Sequence, residues 1–228
     1  MGIRRMSPLP LHQLWWAVAL LPASFLLGCL PFGYWAGRLR GIDLRTQGSG
    51  NIGATNAWRV LGPGWGLWIF LLDFLKGALP AAAGLHCASA TSIPVGDLLG
   101  SAAGLAAILG HNFTPWLGGR GGKGIATSAG VLLVLVPWAF LILISIWGCL
   151  FLAVRIVSVA SLGAALAFPV ATAILYPKRT VLLVFSLLAS LLALLRHRSN
   201  IRRLLQGTES RFCRKNRGDL SGTGGSGA

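Results

Sequence analysis

Two glycine-rich segments in this chain set polar and basic side chains into backbone that can approach an anion closely. The first runs Gly48-Ser49-Gly50-Asn51-Ile52-Gly53-Ala54-Thr55-Asn56, with Arg59 close behind, and the second runs Gly118-Gly119-Arg120-Gly121-Gly122-Lys123-Gly124. Glycine has no Cβ to hold a ligand off, so its N–H groups can meet a phosphate. Lys123 stands among Gly121, Gly122 and Gly124 just before an apolar helix, where free backbone amides and an ammonium can converge on an anion. Arg59 can grip phosphate through two parallel N–H bonds. The plainer alternative for both cations is contact with lipid headgroups.

Two look-alike motifs fail on context. Gly48-x-Gly50-x-x-Gly53 matches a dinucleotide fingerprint, and Asp73 falls twenty residues later, but apolar spans replace the strand and parallel sheet such a site needs. Around Lys123 a phosphate-binding nucleotide loop lacks its first glycine, which is Leu117, and its Ser or Thr, which is Gly124. Neither a nucleotide nor a metal is implied. Ser49 has no Ser-His-acid set at recognisable spacing, so hydrogen bonding to a substrate phosphate or hydroxyl is expected of it. Asn51, Thr55, Asn56 and Ser158 can act in the same way or hold a loop or helix end instead. His111 and His197 are candidates for a general base, with a structural role as the alternative for either. His12 and His86 are assigned no role.

The elements that must position these groups are membrane helices. Of 228 residues, 54% are apolar and only 11% charged, which excludes a water-facing globular surface. About 20 mostly apolar residues make a span, fewer where a helix is short or partly shielded by neighbours, and seven segments qualify, some marginally: 11–37, 64–86, 95–110, 125–136, 138–154, 158–176 and 180–196. The fourth and fifth are divided at Pro137; read as one helix, they would leave six. With the N-terminus outside, fifteen of the twenty Lys and Arg residues fall on the cytoplasmic side, and all the polar glycine-rich segments share that face. Asp73 and Lys76 lie inside one span three residues apart, where they can pair. Trp15, Trp16, Trp65, Trp68 and Trp116 mark membrane interfaces.

The +15 formal charge suggests anionic headgroups, phosphorylated substrates or both. Nucleic acid is not expected as a partner, since the basic residues are scattered between apolar runs with no recognition helix or zinc pattern. Cys29, Cys87, Cys149 and Cys213 are far apart and are expected as free thiols. The apolar run after Arg4 and Arg5 continues past Cys29, so cleavage there is not expected. Residues 1–209 form one integral-membrane domain, and 210–228 a basic, then Gly/Ser-rich tail expected to be disordered.

The motifs resemble those of the bacterial acyl-phosphate:glycerol-3-phosphate acyltransferases. The stretch from Ser49 to Asn56 with Arg59 is similar to the first family motif, and Gly110-His111-Asn112-Phe113 through Gly121-Gly122-Lys123-Gly124-Ile125-Ala126-Thr127 to the second. His197-Arg198-Ser199-Asn200-Ile201-Arg202-Arg203-Leu204-Leu205 with Gly207, Thr208 and Glu209 resembles the third, and Arg155-Ile156-Val157-Ser158 a shorter segment beside the site. The resemblance implies an all-α, polytopic transmembrane bundle of seven spans whose site faces the cytoplasm, acting on acyl phosphate and glycerol 3-phosphate within membrane lipid. It places Ser49, Arg59, Lys123 and His197 in catalysis, and those four with Asn51, Thr55, Asn56, His111, Gly121, Gly122, Gly124, Ser158, Asn200 and Gly207 in substrate binding. Glu209 is expected to anchor a nearby arginine. Two departures stand out: Gly118-Gly119 replaces an aromatic before Arg120, and the tail after Glu209 has no counterpart. A small transporter or channel for a phosphorylated solute is the alternative, though no internal repeat supports it.

Overall fold

A computed structural model describes residues 11–87 and 93–212, the side chains of 11–17 excepted. Arg4, Arg5, Cys213 and the remainder of the tail, together with the side chains of His12, Trp15 and Trp16, lie outside what is described. Among the described residues there are ten α-helices, one short 3-10 turn and no strand. The helices are α1 (Leu11–Gly28), α2 (Phe32–Leu39), α3 (Ala54–Leu61), α4 (Pro63–Cys87), α5 (Ile93–Asn112), α6 (Ile125–Leu135), α7 (Pro137–Val154), α8 (Val157–Leu175), α9 (Thr180–Arg196) and α10 (Arg198–Leu205). The 3-10 turn, Pro115–Leu117, lies between α5 and α6.

By length and composition, five helical segments can cross a membrane, or six if α9 and α10, bent by 58° at their junction, form one broken span. This is fewer than the expected seven. The run 125–136 is the main reason: α6 has 11 residues, about 17 Å at 1.5 Å each, against a hydrocarbon core of about 30 Å. Its end was legible, because Pro137 occupies the first turn of α7 and Val136 leaves helical geometry. The expected first span stands as one candidate span, Val18–Leu39, but its helix is interrupted. It breaks between Gly28 and Phe32, where Pro31 disfavours helical backbone in Leu30, and the Leu30 carbonyl freed there accepts a bond from the buried Lys76 Nζ at 2.9 Å.

Large apolar side chains point both ways. Ile108, Val131, Leu135, Leu143, Phe168, Leu182 and Phe185 pack one core through α5, α6, α7, α8 and α9. Trp68, Leu79, Trp138, Leu152, Ile174 and Leu191 are exposed on the outside, as suits a surface solvated by lipid. Helices with no hydrophobic drive between them need close packing, and α4 and α6 achieve it through small residues: a Cβ on Gly130 would overlap the Phe74 carbonyl. Away from the glycine-rich loops, Arg179 before α9 is tied to buried Asp97 of α5, its Nε donating to Oδ2 at 2.7 Å. Cys29, Cys87 and Cys149 are free thiols.

Candidate active site

The first glycine segment is a loop folded around one amide. Asn56, buried in the opening turn of α3, spreads its Nδ2 hydrogens over the carbonyls of Leu44, Gln47 and Asn51 at 3.1, 3.0 and 2.8 Å, and its Oδ1 accepts the Ser49 N–H at 2.8 Å. Both ends of that side chain are consumed, so Asn56 shapes the loop and does not face a substrate. Asn51 accepts the Gly53 N–H at 2.8 Å. The outcome is a turn that presents Ser49, Gly50 and Asn51 to a cavity and leaves Thr55 off its wall.

The second segment returns from the 3-10 turn to the C-terminus of α5. Gly121 and Gly122 donate their N–H groups to the carbonyls of Asn112 and His111 at 3.2 and 3.1 Å. Those amides therefore anchor the loop, contrary to the expectation that they converge on an anion. Their carbonyls are gripped from the other side by Arg196, whose Nη2 donates to Gly121 at 3.1 Å and to Gly122 at 2.9 Å. Gly124 caps α6 in left-handed backbone, φ 78°, which an L side chain adopts only at a cost. The Lys123 side chain alone of this loop reaches the cavity wall. Burial pushes its ammonium down to a pKa of about 8, against the opposing pull of Glu209.

The third element is the elbow between α9 and α10. His197 sits in it, almost wholly buried, with Nδ1 2.8 Å from the Ala193 carbonyl. That contact assigns the proton to Nδ1 and leaves the lone pair on Nε2. Burial, reinforced by Lys123, lowers its pKa to about 4, so the ring is neutral at physiological pH. α10 ends where Gly207 turns left-handed at φ 69° and Thr208 donates back to the Arg203 carbonyl at 2.9 Å. The chain then runs back over the bundle as a strap. Glu209 accepts from Ser158 Oγ at 2.7 Å, Asn200 Nδ2 at 2.6 Å and Arg203 Nε at 2.6 Å. Two of these bonds meet on Oε1 and the third on Oε2, and together they hold the carboxyl below its ordinary pKa against the effect of burial. Arg59 joins the strap one residue later, donating to the Ser210 hydroxyl and carbonyl at 3.2 and 3.3 Å with its guanidinium 5.9 Å from the Phe212 ring.

These contacts sort the expected residues. Ser49, Asn51 and Lys123 share one cavity of about 260 Å³. Arg59, Ser158, Asn200 and Gly207 are not on its wall; they build the strap around Glu209, which anchors Arg203 as expected. His197, nearly wholly buried behind its neighbours Arg196 and Arg198, is off the wall too, as is His111, buried with Nδ1 3.5 Å from Asp73. Asp73 pairs with Lys76 at 2.8 Å, as their spacing implied. The residues that sequence reading passed over are Arg196, Arg198, Ser199 and Arg203, all lining the cavity. Arg198, Ser199 and Arg203 stood within the third motif without being given a role, and Arg196 was read only for topology.

Four cations around a small polar cavity suit a phosphate. Apolar helices with apolar exteriors and that cavity at the helix ends define a polytopic membrane protein with a cation-lined cavity. Residues 18–207 match the family model described as glycerol-3-phosphate acyltransferase. The chain is 41% identical over 227 residues to a glycerol-3-phosphate acyltransferase of Chlorobium phaeobacteroides (strain DSM 266), an alignment covering 86% of this chain and 96% of that one. It is 40% identical over 197 residues to one of Aquifex aeolicus (strain VF5), covering 86% and 99%. Among solved structures it resembles PlsY (YgiH), an integral membrane glycerol 3-phosphate acyltransferase, in its glycerol 3-phosphate form, with a TM-score of 0.77 and 40% identity over 86% of this chain and 96% of that one. The lysophosphatidic acid form gives a TM-score of 0.76 at 37% identity, covering 86% and 95%. The chain belongs to the glycerol-3-phosphate acyltransferase family, which sets the transporter alternative aside.

Proposed function

We propose that this protein transfers a fatty acyl group from acyl phosphate to the sn-1 hydroxyl of glycerol 3-phosphate, giving lysophosphatidic acid and phosphate for phospholipid synthesis. The observation that carries the reading is the cavity, where Lys123, Arg196, Arg198 and Arg203 meet the hydroxyl and amide of Ser49 and Asn51. A dianionic phosphate offset against those cations leaves a glycerol hydroxyl to be oriented by the neutral groups. Acyl phosphate is a mixed anhydride with a good leaving group, so orientation and charge neutralisation suffice and no covalent nucleophile is called for.

In the transfer, the sn-1 oxygen attacks the acyl carbon, the bond from that carbon to the phosphate oxygen breaks, and phosphate leaves with the electron pair. The hydroxyl proton goes to the departing phosphate or to the lone pair on His197 Nε2. Lys123 neutralises phosphate charge, and Ser49 hydrogen-bonds the substrate phosphate or hydroxyl. The proposed setting is the bacterial inner membrane, with the N-terminus outside and the cavity and C-terminus cytoplasmic. α6 and α9 complete seven passes, the acyl chain arrives laterally from lipid, and the basic tail meets headgroups. The charge asymmetry of the loops supports this arrangement. Purified protein in lipid-like detergent, given labelled glycerol 3-phosphate with long-chain acyl phosphate or acyl-CoA, tests the reading. Product from acyl phosphate alone is expected, product from acyl-CoA alone overturns the donor, and no product from either overturns the activity.

A further inference from the structure

Beneath the Lys123 loop lies a buried polar chain that the transfer reaction does not use. Lys76 of α4 ties the break between α1 and α2 by donating to the Leu30 carbonyl, and its ammonium lies 5.5 Å from the Phe32 ring. Asp73, one turn away on α4, pairs with Lys76 at 2.8 Å and faces His111 Nδ1 of α5 at 3.5 Å. All three side chains are nearly fully buried, and an ionic group is not placed among membrane helices without a function or a partner. The other edge of the His111 ring meets the glycine loop: a Cβ on Gly122 would overlap Nε2. The His111 backbone carbonyl also accepts the Gly122 N–H at 3.1 Å, while Arg196 holds the Gly122 carbonyl from the cavity side at 2.9 Å. Gly122 is thus wedged between the His111 ring and the Arg196 guanidinium, one residue before the lysine on the cavity wall.

We propose that His111, backed by Asp73, is a positioning residue that seats the glycine loop and so sets where the Lys123 ammonium meets substrate phosphate. It touches neither substrate nor reacting atoms. The Asp73–Lys76 pair backs the ring, Asp73 lying 3.5 Å from Nδ1 without a hydrogen bond; the ring fixes Gly122, and Gly122 fixes its neighbour. The need for glycine at 122 is then a contact with one side chain, and the ion pair inside the span is the buttress of that contact. The inference rests on the reading of Lys123 as a phosphate ligand.

Two substitutions separate this role from plain packing. His111→Asn keeps a polar atom opposite Asp73 but removes the edge of the ring that reaches Gly122, whereas His111→Gln extends an amide to that edge. Direct binding of glycerol 3-phosphate to the purified full chain is measured by titration calorimetry, and backbone hydrogen exchange is followed along the chain. His111→Asn is expected to weaken binding about tenfold, near 1.4 kcal/mol, and to speed exchange in 118–124 with α4 and α5 unchanged. His111→Gln is expected to bind within about twofold of wild type. Wild-type affinity in His111→Asn would overturn the proposal, as would equal impairment of both variants with faster exchange throughout α4 and α5. If the wild type itself fails to bind glycerol 3-phosphate, the substrate reading of the cavity falls, and the exchange pattern at 118–124 still decides what His111 does.

Discussion

Removing the charge of Lys123 is the sharpest test of the cavity. Burial brings this ammonium from 10.5 to about 8, and at 1.36 kcal/mol per pH unit the charged form is held at a cost of about 3 kcal/mol in the empty site. The ammonium is therefore still charged at neutral pH, and a dianionic phosphate arriving beside it gains a poorly solvated charge-assisted contact whose truncation costs about 2–5 kcal/mol. Lys123→Met keeps the aliphatic stem and loses the charge, and it should raise the KM for glycerol 3-phosphate on the order of 10²-fold. The pH profile supplies an independent readout, because kcat/KM reports ionisations of the free enzyme. Since the active form is the protonated one, kcat/KM should be level below pH 8 and fall above it as the lysine loses its proton. Lys123→Arg, if active, should extend the plateau to higher pH, because a guanidinium stays charged. Steady-state acylation of labelled glycerol 3-phosphate at saturating acyl phosphate measures all of this. An unchanged KM in Lys123→Met would refute the reasoning, as would the same alkaline fall in Lys123→Arg.

Three further perturbations separate scaffold from site. Glu209→Gln leaves Arg203 without its anion and should lower stability by about 3 kcal/mol, read as a drop in Tm in detergent; normal melting with lost substrate affinity would instead put the carboxylate in contact with substrate. Gly122→Ala collides with His111 and should raise the KM for glycerol 3-phosphate about tenfold or more, whereas Gly64→Ala meets open space and should leave kinetics unchanged while adding up to about 1 kcal/mol of stability; equal kinetics in the two would remove the close contact from the argument. Asp97→Asn should lower Tm by weakening the tie to Arg179, by about 1–3 kcal/mol, with turnover at lower temperature preserved; lost turnover in folded protein would link this staple to the site.

The helices were legible because long apolar runs have few other uses, and Pro137 marked a boundary that the backbone respects. The break at Pro31 was hidden by apolar residues on both sides, and what stabilises it is a lysine 46 residues away that reads only as an odd charge within a span. The short reach of α6 was visible in the bounds 125–136; what composition does not report is whether the partners of so short an apolar segment are lipid or other helices. In the site, Lys123 and Ser49 were legible from type and spacing. Arg196 was not, since its grip on the carbonyls of Gly121 and Gly122 spans 75 and 74 residues of sequence and depends on how α9 packs against α5. The role of Asn56 was equally out of reach, because an amide can serve a substrate or three carbonyls and only the folded loop decides.

Many of the motif residues never reach the cavity, and electrostatics explains why they are needed. Four cations facing about 260 Å³ repel one another, and a flexible loop carrying them would spread them apart before substrate arrived. The repulsion is held by one carboxylate and by backbone. Glu209 faces Arg203, with Ser158 and Asn200 fixing its direction, and two loop carbonyls hold Arg196. Glu209 is occupied by three donors of its own and stays off the cavity wall, so it restrains the cluster without filling the cavity. Burial, reinforced by Lys123, keeps His197 neutral, so its ring adds no further positive charge beside the cluster. More of the motif sequence thus goes to holding cations still than to lining the cavity.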